Sequence, residues 1–172
     1  MHAATDRMRP EQSLHPIPAR ARAGAHVFET SQWVAAGIDE AFGFFSNAAN
    51  LHALTPPFLN FTILTQLPIV MSQGALIEYR LRLLGLPIHW LTRIDEWLPG
   101  RSFTDTQLRG PYAYWVHHHR FTPHRDGTLI RDRVEYALSL PRVTAPVHAL
   151  IVRPMVERIF AYRRDVIARL LG

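Results

Sequence analysis

Cysteine is absent from the 172 residues, and so is lysine. The first absence excludes disulfides, thiol nucleophiles, iron–sulfur clusters and cysteine-ligated zinc, and leaves the redox compartment unreadable. The second makes all nineteen basic residues arginine, a bias that a GC-rich genome commonly produces. No apolar run approaches the roughly 20 residues needed to span a bilayer. Phosphate loop, dinucleotide fingerprint and nucleophile elbow are all missing, so nucleotide binding and serine-type nucleophilic catalysis have no support. The opening MHAATDRMRPEQSLHPIPARARAGAH carries arginines but no apolar segment of the signal-peptide kind, and a cytoplasmic location is expected.

An apolar fraction of 48% and a charged fraction of 19% describe an ordinary globular chain, long enough for one domain with a real core. The net charge is +5 with histidines neutral, and the arginines gather near both ends: Arg7, Arg9, Arg20 and Arg22, then Arg153, Arg158, Arg163, Arg164 and Arg169. A solvated basic surface is the simplest reading; weak attraction to a membrane surface or an acidic partner is the alternative. Nucleic acid is not expected as a partner, because no basic stripe is interleaved with exposed aromatics.

Residues 1–24, rich in Pro, Arg, Ala and Ser without a sustained period, read as a flexible N-terminal tail; residues 25–172 read as a single domain. His26–Val34 is a strand. Ile38–Phe45 is a short helix with Asp39 and Glu40 in its first turn, where the dipole favours anions. Asn47–Pro57 is a second helical piece, ended by Pro56 and Pro57. From there the period changes to 2. Phe61–Leu67 is a candidate strand stopped by Pro68. In Ala75–Leu84 the residues Ile77, Tyr79, Leu81 and Leu83 alternate with Glu78, Arg80 and Arg82, one face buried and one wet. Ile88–Trp97 follows with Trp90, Thr92, Ile94 and Glu96 inward. Asp126-Gly127 marks a hairpin, and Thr128–Leu140 is the last strand, with Ile130, Asp132, Val134, Tyr136 and Leu138 on one face. From about Val147 to Leu171 apolar residues recur at helical spacing: Leu150, Ile151, Met155, Ile159, Phe160, Ile167, Leu170 and Leu171. Pro154 means that this helix begins near Arg153 or is kinked there. Strands in hairpins followed by a long helix indicate an α+β fold.

Between these elements lies FTDTQLRGPYAYWVHHHRF, Phe103–Phe121. Its two strand-like runs flank the turn signal Gly110-Pro111. One face of the first carries Phe103, Asp105, Gln107 and Arg109; one face of the second carries Trp115, His117, His119 and Phe121. Large aromatics mixed with carboxylate, amide and imidazole suit a cavity wall better than a plain core or plain solvent. Alternation puts His117 and His119 together and His118 opposite, so a metal would need a third ligand such as Asp105, Glu96 or Asp132, delivered by strand pairing. Imidazoles hydrogen-bonded to inward polar neighbours are the simpler reading, and no metal or cofactor is assigned. Glu96, Asp105 and Asp132 fall on inward faces, where a carboxylate titrates high unless Arg, His or a hydroxyl stabilises its charge; His117, His119, Arg109 and Tyr136 are the available companions. The expected cavity residues are therefore Tyr79, Trp90, Glu96, Asp105, Gln107, Trp115, His117, His119, Asp132 and Tyr136. If a reaction is catalysed, Asp105, His117 and His119 are the candidates for general acid–base work.

Several stretches taken together resemble the START-like (SRPBCC) superfamily of polyketide cyclase/dehydrase and lipid-transport proteins. They are Ala49-Asn50-Leu51 with Leu54-Thr55-Pro56-Pro57, Glu78-Tyr79-Arg80-Leu81, Trp90, Phe103-Thr104-Asp105-Thr106-Gln107, and Gly110-Pro111-Tyr112. Further on come Trp115-Val116-His117 with His119, Gly127-Thr128 with Asp132, Val134 and Tyr136, and Phe160-Ala161-Tyr162-Arg163. More narrowly, the chain resembles the bacterial stand-alone ligand-binding or cyclase-like members. The resemblance covers about residues 26–171. It implies the helix-grip fold, a curved antiparallel sheet of about seven strands around a long C-terminal helix, with two short helices after strand one. It also implies a hydrophobic or amphipathic small molecule, lipid- or polyketide-like, bound between sheet and helix.

Three functions follow as expectations: a carrier of such a molecule, a cyclase/dehydratase-type enzyme using an inward carboxylate–histidine pair, and an interaction module presenting the basic helix face. The alternation in Ala75–Leu84 also gives a direct test. Leu81→Ala should cost roughly 2–5 kcal/mol in urea denaturation as a core truncation, while Arg82→Ala should stay within about 0.5 kcal/mol of neutral. Equal costs would mean that the two faces are reversed.

Overall fold

The structure, a computed structural model, describes residues 25–139 and 145–172; the tail at 1–24 and the expected strand end at Leu140 lie outside them. The elements are β1 (His26–Val34), α1 (Ile38–Phe45), α2 (Leu51–Leu54), β2 (Thr62–Ile63), β3 (Leu76–Leu83), β4 (Leu86–Leu98), β5 (Ser102–Arg109), β6 (Tyr114–His124), β7 (Gly127–Ala137) and α3 (Arg153–Leu171). One sheet holds all seven strands, in the order β1-β7-β6-β5-β4-β3-β2, every neighbouring pair antiparallel. Five strands connect through hairpins; β1 reaches the far edge to pair with β7, from His26↔Tyr136 to Val34↔Thr128.

Hydrophobic alternation puts Val34, Phe103, Phe121, Ile130 and Val134 on the concave face, where α3 supplies Val156, Phe160, Val166, Ile167 and Leu171. Phe42 and Phe45 of α1 close one end of this core, packing edge-on against Phe121. A bond from the Ala36 amide to the Leu171 carbonyl (3.0 Å) pins the end of the helix to the loop after β1. Gly127 opens β7 because nothing larger fits: a Cβ there would stand 2.1 Å from the Val34 carbonyl oxygen and against the Trp33 ring. The hairpin before it turns at Arg125-Asp126, so this glycine serves close strand approach rather than the turn itself.

Several sequence expectations change in the structure. β2 is two residues long, not Phe61–Leu67, because Leu64 and Thr65 both send their amides to the Glu78 carbonyl while Thr65 Oγ1 accepts from the Glu78 amide. That side chain replaces the ladder and the strand stops. Faces also flip at two β-bulges, between Leu91/Thr92 and between Ile94/Glu96. Each adds one unpaired residue and reverses the side-chain alternation beyond it. Glu96 therefore points to the convex face, within 3.5 Å of the Thr104 hydroxyl, and Trp97 takes the inward place beside Phe42 and Phe103. Arg109 likewise leaves the face of Asp105 and lies exposed, 4.0 Å from Glu78. Finally, the terminal helix is continuous through 145–171, with a π-helical turn at His148–Val152 just ahead of Pro154. Proline offers no amide to the preceding turn, and the wider turn absorbs the loss. Leu150 and Leu170, assigned above to the apolar stripe, are 78% and 54% exposed; Val156 and Val166 replace them. Among the described residues no helix is long and apolar enough to cross a membrane.

Candidate functional site

The sheet curves away from α3 near the β3–β4 end and leaves a cavity of about 170 Å³. Its walls are mostly apolar, with Leu81, Trp90, Tyr112, Trp115, Ile159 and Phe160 prominent. Polar groups enter from two places. The first is small: Trp90 Nε1 donates to Thr92 Oγ1 (3.0 Å), and the Tyr79 hydroxyl lies 3.4 Å from the same oxygen.

The second is the cluster that the Phe103–Phe121 stretch builds with β7. Strand register places Asp105 opposite His117 and His119 opposite Asp132, and alternation sends all four side chains to the concave side. The hydrogen bonds run diagonally. His117 Nε2–H donates to Asp132 Oδ1 (3.0 Å), and His119 Nε2–H donates to Asp105 Oδ2 (3.1 Å). The remaining ring nitrogens close the circuit more loosely: His117 Nδ1 is 3.7 Å from Asp105 Oδ2. His119 Nδ1 is 2.8 Å from Asp132 Oδ1 but poorly aligned, and it has no hydrogen-bond partner among the described residues. The two imidazole centroids are 3.7 Å apart. Phe103 stacks on His119 at 4.1 Å and Phe160 meets His117 edge-on at 5.4 Å.

Burial and neighbours push these groups apart in acidity. For His117, burial and the adjacent His119 lower the pKa to about 4, outweighing Asp132 and Asp105, so this ring is neutral near pH 7. For His119, burial also acts downward, but its contacts with Asp105 and Asp132 prevail and the pKa rises. Burial raises both carboxyls; the histidines outweigh it, and Asp105 and Asp132 titrate below the usual range. The two imidazoles between the carboxylates thus differ in basicity, His117 lowered and His119 raised. A donor and an acceptor stand side by side, as acid–base chemistry requires.

Of the residues expected at the cavity, Tyr79, Trp90, Asp105, Trp115, His117 and His119 line it. Asp132 stands behind the two imidazoles and borders a separate small space against Thr30, Gln32 and Arg163. Gln107 turns back to cap the β5–β6 loop, bonding the amide and carbonyl of Tyr112; it packs so tightly there that a Cβ at Gly110 would meet it at 2.3 Å. Tyr136 supports the wall from outside, its ring 5.8 Å from Trp115 and its hydroxyl 2.9 Å from His148 Nε2. Glu96 is on the other side of the sheet. Thr92, Tyr112 and Arg163 also line the cavity, although the expected cavity residues did not include them. Arg163 follows Phe160 at helical spacing, which was the available signal. Its guanidinium stands 5.8 and 5.6 Å from the Phe45 and Phe160 ring centres, and its buried Nε has no hydrogen-bond partner among the described residues.

The acidities fix a pH dependence. Because His117 titrates lower in the folded chain than in the unfolded one, the unfolded state takes up more protons between about pH 6.5 and about pH 4. The contribution of a neutral, buried His117 is complete above that window and is lost as pH falls through it; the two carboxylates extend the loss further into acid. His119 has the opposite sign, its share fading as pH rises through its elevated pKa. Urea titrations in metal-free buffer should show stability falling from pH 6.5 to pH 4, with a shallower fall in His117→Gln. Equal slopes in both proteins would mean that His117 is not held neutral.

No family model matches the sequence, and no curated protein matches it. Solved structures do resemble the fold. The di-domain ARO/CYC StfQ from the steffimycin biosynthetic pathway superposes with a TM-score of 0.66 at 15% identity, over 88% of this chain and 52% of that one, so this chain spans about half of it. The Zhui aromatase/cyclase from Streptomyces sp. R1128 gives a TM-score of 0.61 at 17% identity, over 86% of this chain and 97% of that one. Ginseng major latex-like protein 151 from Panax ginseng gives 0.62 at 11% identity, over 85% and 97%. With its seven-stranded antiparallel sheet, two short helices after β1 and a long terminal helix held in the concave face, this chain has the helix-grip fold that these solved structures share.

Proposed function

We propose that residues 25–172 form a single ligand-binding domain. It holds a small, largely apolar molecule in the cavity between β3–β6 and α3, with the molecule's polar end against Asp105, His117 and His119. One observation carries this reading: a mostly apolar cavity with a few polar groups at defined places, the largest group being Asp105, His117 and His119. That is the usual arrangement for orienting an amphipathic ligand. A cavity of about 170 Å³ is close to the roughly 150 Å³ that accommodates benzene in an apolar core, so the favoured occupant carries one or two rings or a short chain. The aromatic walls suit a planar ligand. Arg163, with an unpartnered Nε at the same cavity, favours one with an anionic or carbonyl oxygen.

Trp90 and Trp115 line the space and report on its filling. Titrating the protein with 1-naphthol should quench tryptophan fluorescence saturably with one site. Ile159→Trp, which fills the cavity from the helix side, should weaken that binding at least about tenfold, or 1.4 kcal/mol, while the melting temperature holds. Absence of saturable quenching in the wild type, or unchanged affinity in the variant, would exclude a ligand cavity at this place.

A second reading is acid–base catalysis of the cyclase/dehydratase kind, which the juxtaposition of a weakly basic His117 and a more basic His119 favours. His117 would accept a proton from a carbon next to a carbonyl, and His119 would donate one to the departing hydroxyl. Water is then the product of dehydration and the protons balance. Using a one-ring β-hydroxyketone as substrate, His117→Ala should lower the dehydration rate about 10²–10⁴-fold, well beyond its accompanying loss of naphthol affinity. No turnover by the wild type leaves binding as the whole function.

A further inference from the structure

We infer that Asp105, His117 and His119 form a site for a divalent transition-metal ion, with Asp132 orienting both imidazoles and an open coordination position facing the cavity. Such a site stands on geometry and goes beyond the ligand-binding reading.

Three potential ligand atoms, one from each residue, lie within 4.8 Å of one another. Asp105 Oδ2 is 3.1 Å from His119 Nε2 and 3.7 Å from His117 Nδ1. Ligands that share a metal at about 2.0–2.2 Å stand roughly 3–4 Å from each other, so a small inward movement of the side chains completes the triad. All three residues line the cavity, which leaves the remaining position for a water or for an oxygen of a bound molecule.

Asp132 supplies the independent observation. It does not line the cavity, and its Oδ1 is 3.0 Å from His117 Nε2 and 2.8 Å from His119 Nδ1. It therefore meets the ring nitrogen of each imidazole that faces away from Asp105. Metal-bound histidines almost always give that second N–H to a carboxylate, carbonyl or water, and here one buried carboxylate serves both rings. The poorly aligned contact at His119 Nδ1, otherwise an unpartnered buried nitrogen, is a bond that a small rotation of the metal-bound ring would make. Charge agrees. With both imidazoles neutral, as ligation requires, two buried carboxylates face each other across them, and a divalent cation balances the pair. Two nitrogens and one carboxylate oxygen select zinc, cobalt, iron or manganese over calcium or magnesium, which prefer all-oxygen sites. Arg163 lines the same cavity, so an anionic oxygen on the metal would lie within the field of a second positive charge.

The test uses the full chain without a purification tag, stripped with a chelator and then titrated with Co²⁺, whose visible d–d bands intensify at low coordination number. One equivalent should bind with strong bands, and Zn²⁺ should displace it and abolish them. His117→Ala and His119→Ala should each remove the bands, with the far-UV circular dichroism of the fold retained; His119→Gln and Asp105→Asn serve where an alanine variant does not fold. Asp132→Asn should keep the bands and weaken binding about 10–100-fold. His148→Ala, which disrupts the stacked His26–His148 pair elsewhere on the molecule, should change nothing. Bands absent at one equivalent, or equally strong in the His117 and His119 variants, would overturn the site. The naphthol titration on chelator-stripped protein reports separately on the cavity.

Discussion

Two carboxylates on the strands that flank β6, Asp132 buried and Asp105 largely so, are the constraint that the concave face of this sheet has to satisfy. An ion removed from water loses several kcal/mol of solvation, and only close, well-directed partners repay the loss. Asp105 and Asp132 each obtain two imidazole contacts, and they do so because β5, β6 and β7 pair in one register. A one-residue slip of β6 would turn both histidines to the convex face and leave the carboxylates unpaired. The cluster therefore works as a register lock for the centre of the sheet as well as a polar patch for the cavity. Its cost is offset by packing around it, from Phe103, Phe45 and Phe160.

The two bulges extend this logic outward. They bend the sheet and re-aim the ends of β4 and β5, so that Trp97 joins the aromatic core under α1 while Glu96 and Arg109 go to solvent. That exchange keeps carboxylate and guanidinium groups with no buried partner out of the concave side. It also divides that side into two regions. Near α1 and the end of α3, phenylalanines fill the volume. Toward β3 and β4 the filling is incomplete, and the cavity is what remains.

Function is then a matter of what the incomplete region presents. For the ligand proposed above, apolar walls would supply affinity without direction, and Tyr79, Thr92 and the histidine–aspartate cluster would supply direction. In the readings proposed above Asp105, His117 and His119, with Asp132 behind them, would hold a ligand's polar end, exchange protons with it or bind a metal, because each role needs lone pairs and protons placed together in a water-poor space. The solved structures that share this fold bear titles as different as aromatase/cyclase and major latex-like protein, which fits a scaffold whose site decides the chemistry.

Much of this was legible in the residues themselves. Period-2 alternation located β1, β3, β6 and β7, helical spacing located α1 and α3, and the mixed composition of Phe103–Phe121 marked the strand pair that carries Asp105, His117 and His119. These readings succeeded because they rest on local covalent geometry: alternate side chains of a strand share a face wherever the strand is regular. They failed where regularity fails. Glu96 was assigned inward and Arg109 was grouped with Asp105 because a bulge leaves no mark in an alternating sequence, and Thr65 ended β2 through a side-chain bond that no propensity anticipates. Whether an inward residue touches the cavity depends on neighbours distant in the chain: Gln107 is taken up by Tyr112, Tyr136 by His148, and Arg163 arrives on a helix some forty residues after β6. The sequence determined which side chains share a strand face; only tertiary structure decided which faces meet, because strand register and helix docking are set by burying the whole apolar surface at once.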